Sequence, residues 1–291
     1  MFSKLSYKSQ RKMVIISFLA IPFFLLLLFT YWPTILMFYY SFTDWNGFSP
    51  ICHMIGIDNY ITIFTTSMYW KLFENSLYYL VSGILQITFA FLLAVLLNSK
   101  VRFKNVFKGI IVFPYLLNGV AISLIFIAFF KFNGTFNSIL DMVGLNAWAK
   151  FWITDANIAN YSLAFTAFWR YFGFNFILFL GAMQSIPGEL FEAAKIDGAS
   201  AWQEAKYIII PSIKRIIEIN LILTIAGAIK VFEIPYIMTG GANGTNTFVV
   251  ETMQTAFGSN RVGLASAMAV IVLIIVLIVT VIQRKFLKED I

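Results

Sequence analysis

Long stretches without a charged residue constrain this chain more than any other feature of its sequence. Four such windows are residues 13–43, 75–99, 109–130 and 262–283, and the shortest of them has 22 residues. An α-helix needs about 20 predominantly apolar residues to cross the hydrocarbon core of a bilayer. Charged residues make up only 12% of the chain, which is about half the share found in soluble domains. The sequence therefore predicts helices that span a membrane.

Two further apolar windows contain charged residues and are also predicted to be spans. Residues 158–183 include Arg170, and residues 219–239 include Lys230 and Glu233. The predicted fold class is therefore an all-α, polytopic membrane protein with six transmembrane helices. The first window exceeds the roughly 7–15-residue core of a signal peptide, which favours a retained span. We divide the chain into an N-terminal tail at 1–12, a membrane domain at 13–286 that includes a loop at 187–211, and a C-terminal tail at 287–291.

The positions of the basic residues predict which side of the membrane each loop faces. If the N-terminus is cytoplasmic, 15 of the 21 lysines and arginines lie on the inner side and four on the outer side. The inner-side residues are Lys4, Lys8, Arg11, Lys12, Lys100, Arg102, Lys104, Lys108, Lys195, Lys206, Lys214, Arg215, Arg284, Lys285 and Lys288. The outer-side residues are Lys71, Lys131, Lys150 and Arg261. Because cytoplasmic segments normally carry this excess, both termini and the loop at 187–211 are predicted to be cytoplasmic.

The scarcity of reactive and metal-binding residues argues against several classes of function. A single cysteine, Cys52, excludes an intramolecular disulfide and a multi-cysteine metal site. His53 is the only histidine and the acidic residues are scattered, which argues against an integral membrane enzyme and against a bound metal. The chain has no G-x-x-x-x-G-K-[ST] sequence to hold ATP phosphates. The net charge of +7 is distributed around the predicted spans, so no nucleic acid partner is expected.

A charged, alanine-rich segment interrupts the apolar sequence between the fourth and fifth predicted spans. The pair Pro187-Gly188 is predicted to end the preceding span, and Glu189 and Glu192 suit the first turns of a new helix. Asp197-Gly198 is predicted to turn the chain, and Ser200-x-x-Gln203 has the form of a capping box that starts a second helix. The pattern predicts a rigid helix–turn–helix with a small-residue surface that another chain can approach closely. The alternative is an amphipathic connector that lies on the membrane surface.

The segment "EAAKIDGASAWQEAKYIIIP", residues 192–211, resembles the EAA loop of binding-protein-dependent ABC importer permeases. The residues that match the family pattern are Glu192, Ala193, Ala194, Asp197, Gly198, Ala199 and Pro211. Further segments that resemble these permeases are residues 56–64, 75–98, 113–126, 238–257 and 263–286. The resemblance covers nearly the whole chain and is greatest to the maltose and glycerol-phosphate permeases of the carbohydrate class. It implies the fold of a type I ABC importer permease with a cytoplasmic coupling loop.

The resemblance also implies the partners of the chain and the role of the loop. In that family two homologous permeases pair, and each gives its EAA helix to one of two copies of a cytoplasmic ABC ATPase. ATP and Mg would be bound by that ATPase, and this chain itself is expected to bind no cofactor. Glu192 would pair with a basic residue of the ATPase, Gly198 would permit the turn, and the alanines would permit close docking. The implied location is a multi-pass position in the bacterial plasma (inner) membrane, among membrane lipid.

A substrate site within the spans is also implied. The predicted substrate-binding residues are Arg170, Tyr171, Phe174, Thr224, Gly227, Lys230 and Glu233. The first five correspond to two helix faces that line the sugar site of the maltose permease. The remaining two, like Arg170, are intramembrane charges, which are costly unless they serve a function. The alternative is that Arg170 and Glu233 pair structurally or lie at a span end. Asn118 and Asn175 are interpreted as residues that form helix–helix hydrogen bonds rather than ligand contacts.

The favoured function is uptake of a carbohydrate, preferably an oligosaccharide, that a solute-binding protein delivers outside the membrane. Transport would proceed by alternating access driven by the separate ATPase. A polyol or a glycerol-phosphate-type solute is the alternative substrate. A self-contained secondary transporter is the alternative mechanism, but it would need no cytoplasmic docking loop.

Overall fold

The structure is a computed structural model that describes residues 6–98 and 102–287, with side chains up to residue 285. The predicted inner-side lysines Lys4, Lys100 and Lys288, and parts of the two predicted tails, lie outside the described residues. Within the described ranges the regular structure is helical, apart from one isolated bridge between Thr43 and Met54. The predicted all-α fold class is confirmed.

The described residues form thirteen helical segments, several of them interrupted. They are α1 (Tyr7–Tyr40, with a π-helical turn at Leu27–Tyr31), α2 (Asp58–Thr65), α3 (Ser67–Asn98), α4 (Lys104–Leu116), α5 (Gly119–Phe130), α6 (Thr135–Met142), α7 (Ala159–Gln184), α8 (Gly188–Ile196), α9 (Ala201–Glu204, continued by Ala205–Ile209 and Ile210–Ser212), α10 (Lys214–Ile229), α11 (Glu233–Thr239), α12 (Phe248–Met253, continued by Gln254–Gly258) and α13 (Val262–Leu287). A short 3₁₀ turn at Asn146–Trp148 follows α6.

Five of these helical stretches are long and apolar enough to cross a membrane. They are Tyr7–Tyr40, Ser67–Asn98, Ala159–Gln184, Lys214–Thr239 and Val262–Lys285. The bent pair α4 and α5 provides a sixth span if it is counted as one. The six predicted windows therefore coincide with the six candidate spans of the described chain.

The third predicted span is not the straight helix that its uncharged window suggested. The axes of α4 and α5 meet at 97°, because Leu117 and Asn118 both have extended backbone angles that end one helix before the next begins. Asn118 caps α5, since its side-chain oxygen accepts a hydrogen bond from the Val120 N–H at 2.8 Å. The interpretation of Asn118 as a helix–helix residue was therefore wrong, and its side chain stabilises the break instead.

The chain forms two compact units, and the first contains Met1–Thr65 and Thr252–Ile271. Its loop after α1 is fixed by the buried amide of Asn59, which donates to the carbonyl oxygens of Ser41 and Thr43 at 2.9 Å each. In the same loop the His53 N–H donates to the Asp44 carboxylate at 2.8 Å, and this bond holds the pKa of Asp44 below its usual value. Hydrogen bonds from side chains to the backbone thus help to order this loop.

The second unit contains Thr66–Glu251 and Val272–Ile291 and is built around the packing of α3 against α7. Ala90 of α3 and Phe176 of α7 are fully buried in its apolar core. Two buried amides join the same helices. Asn175 donates to Gln86 at 3.0 Å, and Gln86 donates to the Phe168 carbonyl at 2.7 Å. The prediction that Asn175 forms a helix–helix hydrogen bond is confirmed.

The segment between α7 and α10 has the predicted helix–turn–helix geometry. The first helix begins at Gly188 directly after Pro187, and the chain turns at Gly198, whose φ of +76° lies in the left-handed region that favours glycine. Ser200 and Gln203 form the predicted capping box: the Gln203 side chain accepts from the Ser200 N–H at 2.8 Å, and the Ser200 hydroxyl accepts from the Gln203 N–H. Local sequence signals therefore set the shape of this loop.

Candidate functional site

A cavity of about 540 Å³ lies within the second unit, where α3, α7, α10 and α11 come together. The predicted substrate-binding residues that line it are Tyr171, Phe174, Thr224, Gly227, Lys230 and Glu233. The structure thus brings together, in one cavity, six of the seven residues that the sequence selected. Their role in binding a substrate stays a prediction.

Two helix faces build most of the cavity wall. Tyr171 and Phe174 are three residues apart on α7, and Thr224 and Gly227 are three residues apart on α10, so each pair shares a face of its helix. Gly83 of α3 permits the close approach of α10, because a Cβ at this position would collide with the Thr224 methyl group. The wall is therefore set by the crossing of α3 and α10 and by the adjacent face of α7.

The two charged residues of the wall lie at a break in the fifth span. The helix α10 ends at Ile229, Lys230 occupies its C-terminal cap, and α11 begins at Glu233. A lysine suits this position, since the C-terminal end of a helix carries partial negative charge. The break therefore presents one cationic and one anionic side chain to the same cavity.

The seventh predicted residue, Arg170, acts on the cavity indirectly. Its Nη1 donates to Oε2 of Glu233, so the pairing that the sequence left as an alternative is present. The Arg170 side chain is 13% exposed and that of Glu233 is 37% exposed, so the carboxylate is the member that reaches the open cavity. Arg170 does not line the cavity, although its guanidinium carbon lies 4.9 Å from the centre of the Tyr171 ring.

Sequence reasoning missed the part of the wall that α3 and the end of α4 supply. Ser82 and Gln86 are four residues apart on one face of α3, and this spacing within the apolar part of the helix was an available signal. Tyr115 of α4 could not have been found from local spacing, since the packing of α4 against α7 brings it to the cavity. Its ring centre lies 5.0 Å from that of Phe174. Aromatic rings therefore line the cavity from three helices, since Tyr79 of α3 also lies in its wall.

The chemistry of this wall suits a ligand that has both apolar faces and hydroxyl groups. Aromatic rings pack against C–H surfaces, while the amide, hydroxyl, ammonium and carboxylate groups of the wall can bind hydroxyls. Within residues 6–98 and 102–287, no group of three or more histidine, cysteine or acidic side chains is arranged to hold a metal ion.

The predicted coupling residues lie together in the loop between α7 and α10. Glu192, Ala193, Asp197 and Gly198 are exposed and Ala194 is half-buried, while Pro211 is exposed near the end of the second helix. The apolar side chain of Ile196 beside them is 87% exposed. An exposed apolar side chain next to small and acidic residues is a surface that suits a protein partner.

Comparison with known proteins places these features in a family. Residues 86–288 match the family described as "Binding-protein-dependent transport system inner membrane component". The chain is 33% identical over 288 residues to the probable ABC transporter permease protein YurN of Bacillus subtilis (strain 168), with 96% of this chain and 98% of the relative covered. It is also 33% identical over 280 residues to the multiple sugar-binding transport system permease protein MsmF of Streptococcus mutans serotype c, with 94% of each covered.

A solved structure has the same fold. The chain superimposes with a TM-score of 0.85 on a chain in the crystal structure of a bacterial alginate ABC transporter in complex with an alginate pentasaccharide-bound periplasmic protein. The match covers 99% of this chain and 98% of that chain, at 20% sequence identity.

Proposed function

The chain belongs to the family of binding-protein-dependent transport system inner membrane components, and from this premise we propose that it is the permease subunit of an ATP-driven importer for an oligosaccharide. As a member of this family it is a permease component and not an enzyme, so ATP hydrolysis belongs to a separate ATPase. The relative MsmF, which is named for multiple sugar transport, supports a carbohydrate substrate.

The observation that carries the substrate proposal is the shared cavity of the predicted residues. In our proposal the rings of Tyr171 and Phe174 pack against the C–H faces of a sugar ring, and Thr224 and Lys230 bind its hydroxyl groups. Gly227 leaves room for the ring because it has no side chain. Glu233 accepts hydrogen bonds from hydroxyl groups while Arg170 holds its carboxylate in place.

Energy for transport would enter through the exposed loop between α7 and α10. Glu192 would pair with a basic residue of the ATPase, Ala193 and Ala194 would allow close docking, and Gly198 would keep the turn. The same two helices that flank this loop also line the cavity. A movement of the loop, driven by closure of two ATPase subunits that hold ATP and Mg, would therefore act directly on the cavity wall and expose it to alternate sides.

The remaining partners follow from the same proposal. A second, homologous permease would complete the membrane pathway, and a solute-binding protein would deliver the sugar on the outer side. The solved complex with a periplasmic protein and an alginate pentasaccharide supports an arrangement of this kind. The chain would lie in the plasma membrane of a bacterium, with both termini in the cytoplasm and lipid around its outer helix faces.

The position of Lys230 favours a second candidate substrate, a glycerol-phosphate-type solute. Lys230 lines the cavity, and the described residues place no carboxylate within ion-pair distance of it. A phosphate could supply the missing negative charge. A polyol would use the same hydroxyl-binding groups without the phosphate, and the exposed docking loop weighs against a self-contained secondary transporter.

The test is ATP hydrolysis by the complex reconstituted in lipid with its partner permease, ATPase and binding protein. We would add maltotriose, arabinotriose, lactose, glycerol and glycerol 3-phosphate in turn. We expect one of the sugars to stimulate ATP hydrolysis by the wild-type complex. In the Glu192→Ala and Gly198→Pro complexes this stimulation should be at least about tenfold smaller, since the first change removes a docking side chain and the second disrupts the turn. Glu189→Ala is the matched control, because this glutamate is exposed on the same helix but lies outside the E-A-A pattern.

Two results would contradict the proposal. Stimulation by glycerol 3-phosphate alone would replace the sugar with a phosphorylated solute. Equal stimulation in the wild type and both loop variants would mean that the loop is only a connector.

A further inference from the structure

Gly119 lies at the most crowded point of the break between α4 and α5. It is the first residue of α5, directly after the capping Asn118, and it is buried. A Cβ at position 119 would overlap with the guanidinium of Arg170 and the carboxylate of Glu233. Both obstacles are the ends of flexible side chains, but each end is held in place by its ion pair with the other. The absence of a side chain at this one position is therefore what leaves room for the ion pair.

The ion pair that fills this space connects separate parts of the cavity wall. Arg170 belongs to α7 and Glu233 to the start of α11, and Gly119 adds the N-terminus of α5 to the same contact. The end of α5 is itself fixed, because the fully buried Ser123 donates to the Gly119 carbonyl at 2.8 Å. In apolar surroundings a separated ion pair is strongly disfavoured. The ion pair therefore favours the contact of α7 with α11, and Gly119 of α5 lies directly beside it.

We propose that Gly119 is a positioning residue for transport: its missing side chain lets the Arg170–Glu233 pair close over the helix break, and the pair fixes the Glu233 carboxylate in the cavity wall. The uptake arm of the test rests on the proposed transport function, whereas the stability arm does not. Arg170 then acts on the ligand through Glu233, without touching it.

The stability arm compares two glycine-to-alanine changes, one at the start of α5 and one inside α4. Gly119→Ala is expected to lower the thermal midpoint of the purified complex by at least about 3 °C, because the added methyl group forces the ion pair apart. Gly109→Ala is the matched control. It adds the same methyl group to α4, where a Cβ meets nothing within 4 Å, and we expect a midpoint equal to or slightly above that of the wild type, because alanine favours a helix interior more than glycine does.

A double-mutant cycle shows whether the ion pair is the cause. Gly119→Ala is repeated in a complex that carries Arg170→Ala and Glu233→Ala together, so that no unpaired charge remains. The methyl group then has free space, and we expect no further loss of thermal midpoint from it. An equal loss in both backgrounds, or equal midpoints for Gly119→Ala and Gly109→Ala, would overturn the inference.

The uptake arm distinguishes positioning from simple loss of structure. Among maltotriose, arabinotriose and lactose, we would choose the sugar that the wild-type complex takes up fastest. We would then measure the KM for its uptake into lipid vesicles that contain the complex. Gly119→Ala should displace the Glu233 carboxylate, and Glu233→Gln replaces it with an amide. We therefore expect each change to raise KM by about fivefold to tenfold, and the two changes together to raise it no further. Additive effects on KM would overturn the positioning role. If no sugar is taken up by the wild type, the proposed function fails, and the stability arm alone decides the role of Gly119.

Discussion

At the scale of single residues, the amide of Asn137 organises the loop that follows α5. Its nitrogen donates to the carbonyl oxygens of Phe132 and Lys150 at 2.8 and 3.1 Å, and its oxygen accepts from the Trp152 indole at 2.6 Å. Asn137 is buried, so its replacement leaves these groups unpaired away from water. One side chain thus holds three separate points of a loop that has little regular structure.

We expect Asn137→Ala to lower the stability of the second unit by about 2 kcal/mol, since three part-buried polar groups lose their partner. A loss of that size corresponds to a fall of about 4–8 °C in the thermal midpoint of the purified complex. Asn157→Ala is the control, because Asn157 is exposed and its side chain bonds only to Asp155. Indistinguishable midpoints for the two variants would contradict the assigned role.

Residues of the cavity differ in how far the sequence could reveal them. Tyr171 and Phe174 were accessible to prediction because their spacing places them on one helix face, and the family resemblance indicated which face that is. The pairing of Arg170 with Glu233 could only be offered as an alternative. The two residues are 63 positions apart, and nothing in local spacing fixes the distance between α7 and α11. Tyr115 was missed for the same reason, since it reaches the cavity through the packing of α4 against α7.

At the scale of helical elements, the crossing of α4 and α7 depends on Gly173. A Cβ at this position would overlap with the backbone of α4, where the Val112 Cα lies 2.8 Å away. Backbone atoms cannot rotate aside as a flexible side chain can, so the helices themselves would have to separate. Gly181 lies on the same helix, and a Cβ there meets nothing within 4 Å. The two glycines of α7 therefore make a natural comparison.

We expect Gly173→Ala to cost about 1–3 kcal/mol in stability through this forced separation of helices. Gly181→Ala should be neutral or slightly stabilising, because alanine favours a helix over glycine by about 1 kcal/mol. The measurement is the yield of assembled complex after detergent extraction, followed by its thermal midpoint. A loss of yield and midpoint that is as large at position 181 as at position 173 would show that the close crossing does not matter.

Helix positions were largely predictable because the hydrocarbon core excludes charge over a fixed length. The windows 158–183 and 262–283 nearly coincide with helical stretches at Ala159–Gln184 and Val262–Lys285. The second span, α3, begins at Ser67, earlier than its uncharged window, because charged side chains near a membrane surface do not interrupt a helix. The break after Leu116 was not predicted. A count of uncharged residues cannot detect it, although Asn118 followed by Gly119 is a recognisable helix start.

At the scale of the whole molecule, the distribution of positive charge predicts which loops face the cytoplasm. The sequence places 15 lysines and arginines on one side of the predicted spans and four on the other. The proposed function depends on this orientation, because only a cytoplasmic loop between α7 and α10 can meet an ATPase. The helices alone do not fix it, since a reversed bundle would bury the same apolar surfaces. Orientation is therefore a separate property that needs its own measurement.

We expect two serine-to-cysteine variants to report opposite sides of the membrane. Both would be made in a Cys52→Ser chain, which removes the native thiol. Ser185, directly after α7, and Ser259, before α13, are both exposed, so a thiol at either position is open to a water-soluble reagent. A membrane-impermeant maleimide should label Ser259→Cys in intact cells and label Ser185→Cys only after the membrane is permeabilised, because positively charged loops stay in the cytoplasm. Total labelling after permeabilisation is the control for reactivity. The reverse pattern would place the loop between α7 and α10 outside the cell, where no ATPase could bind it.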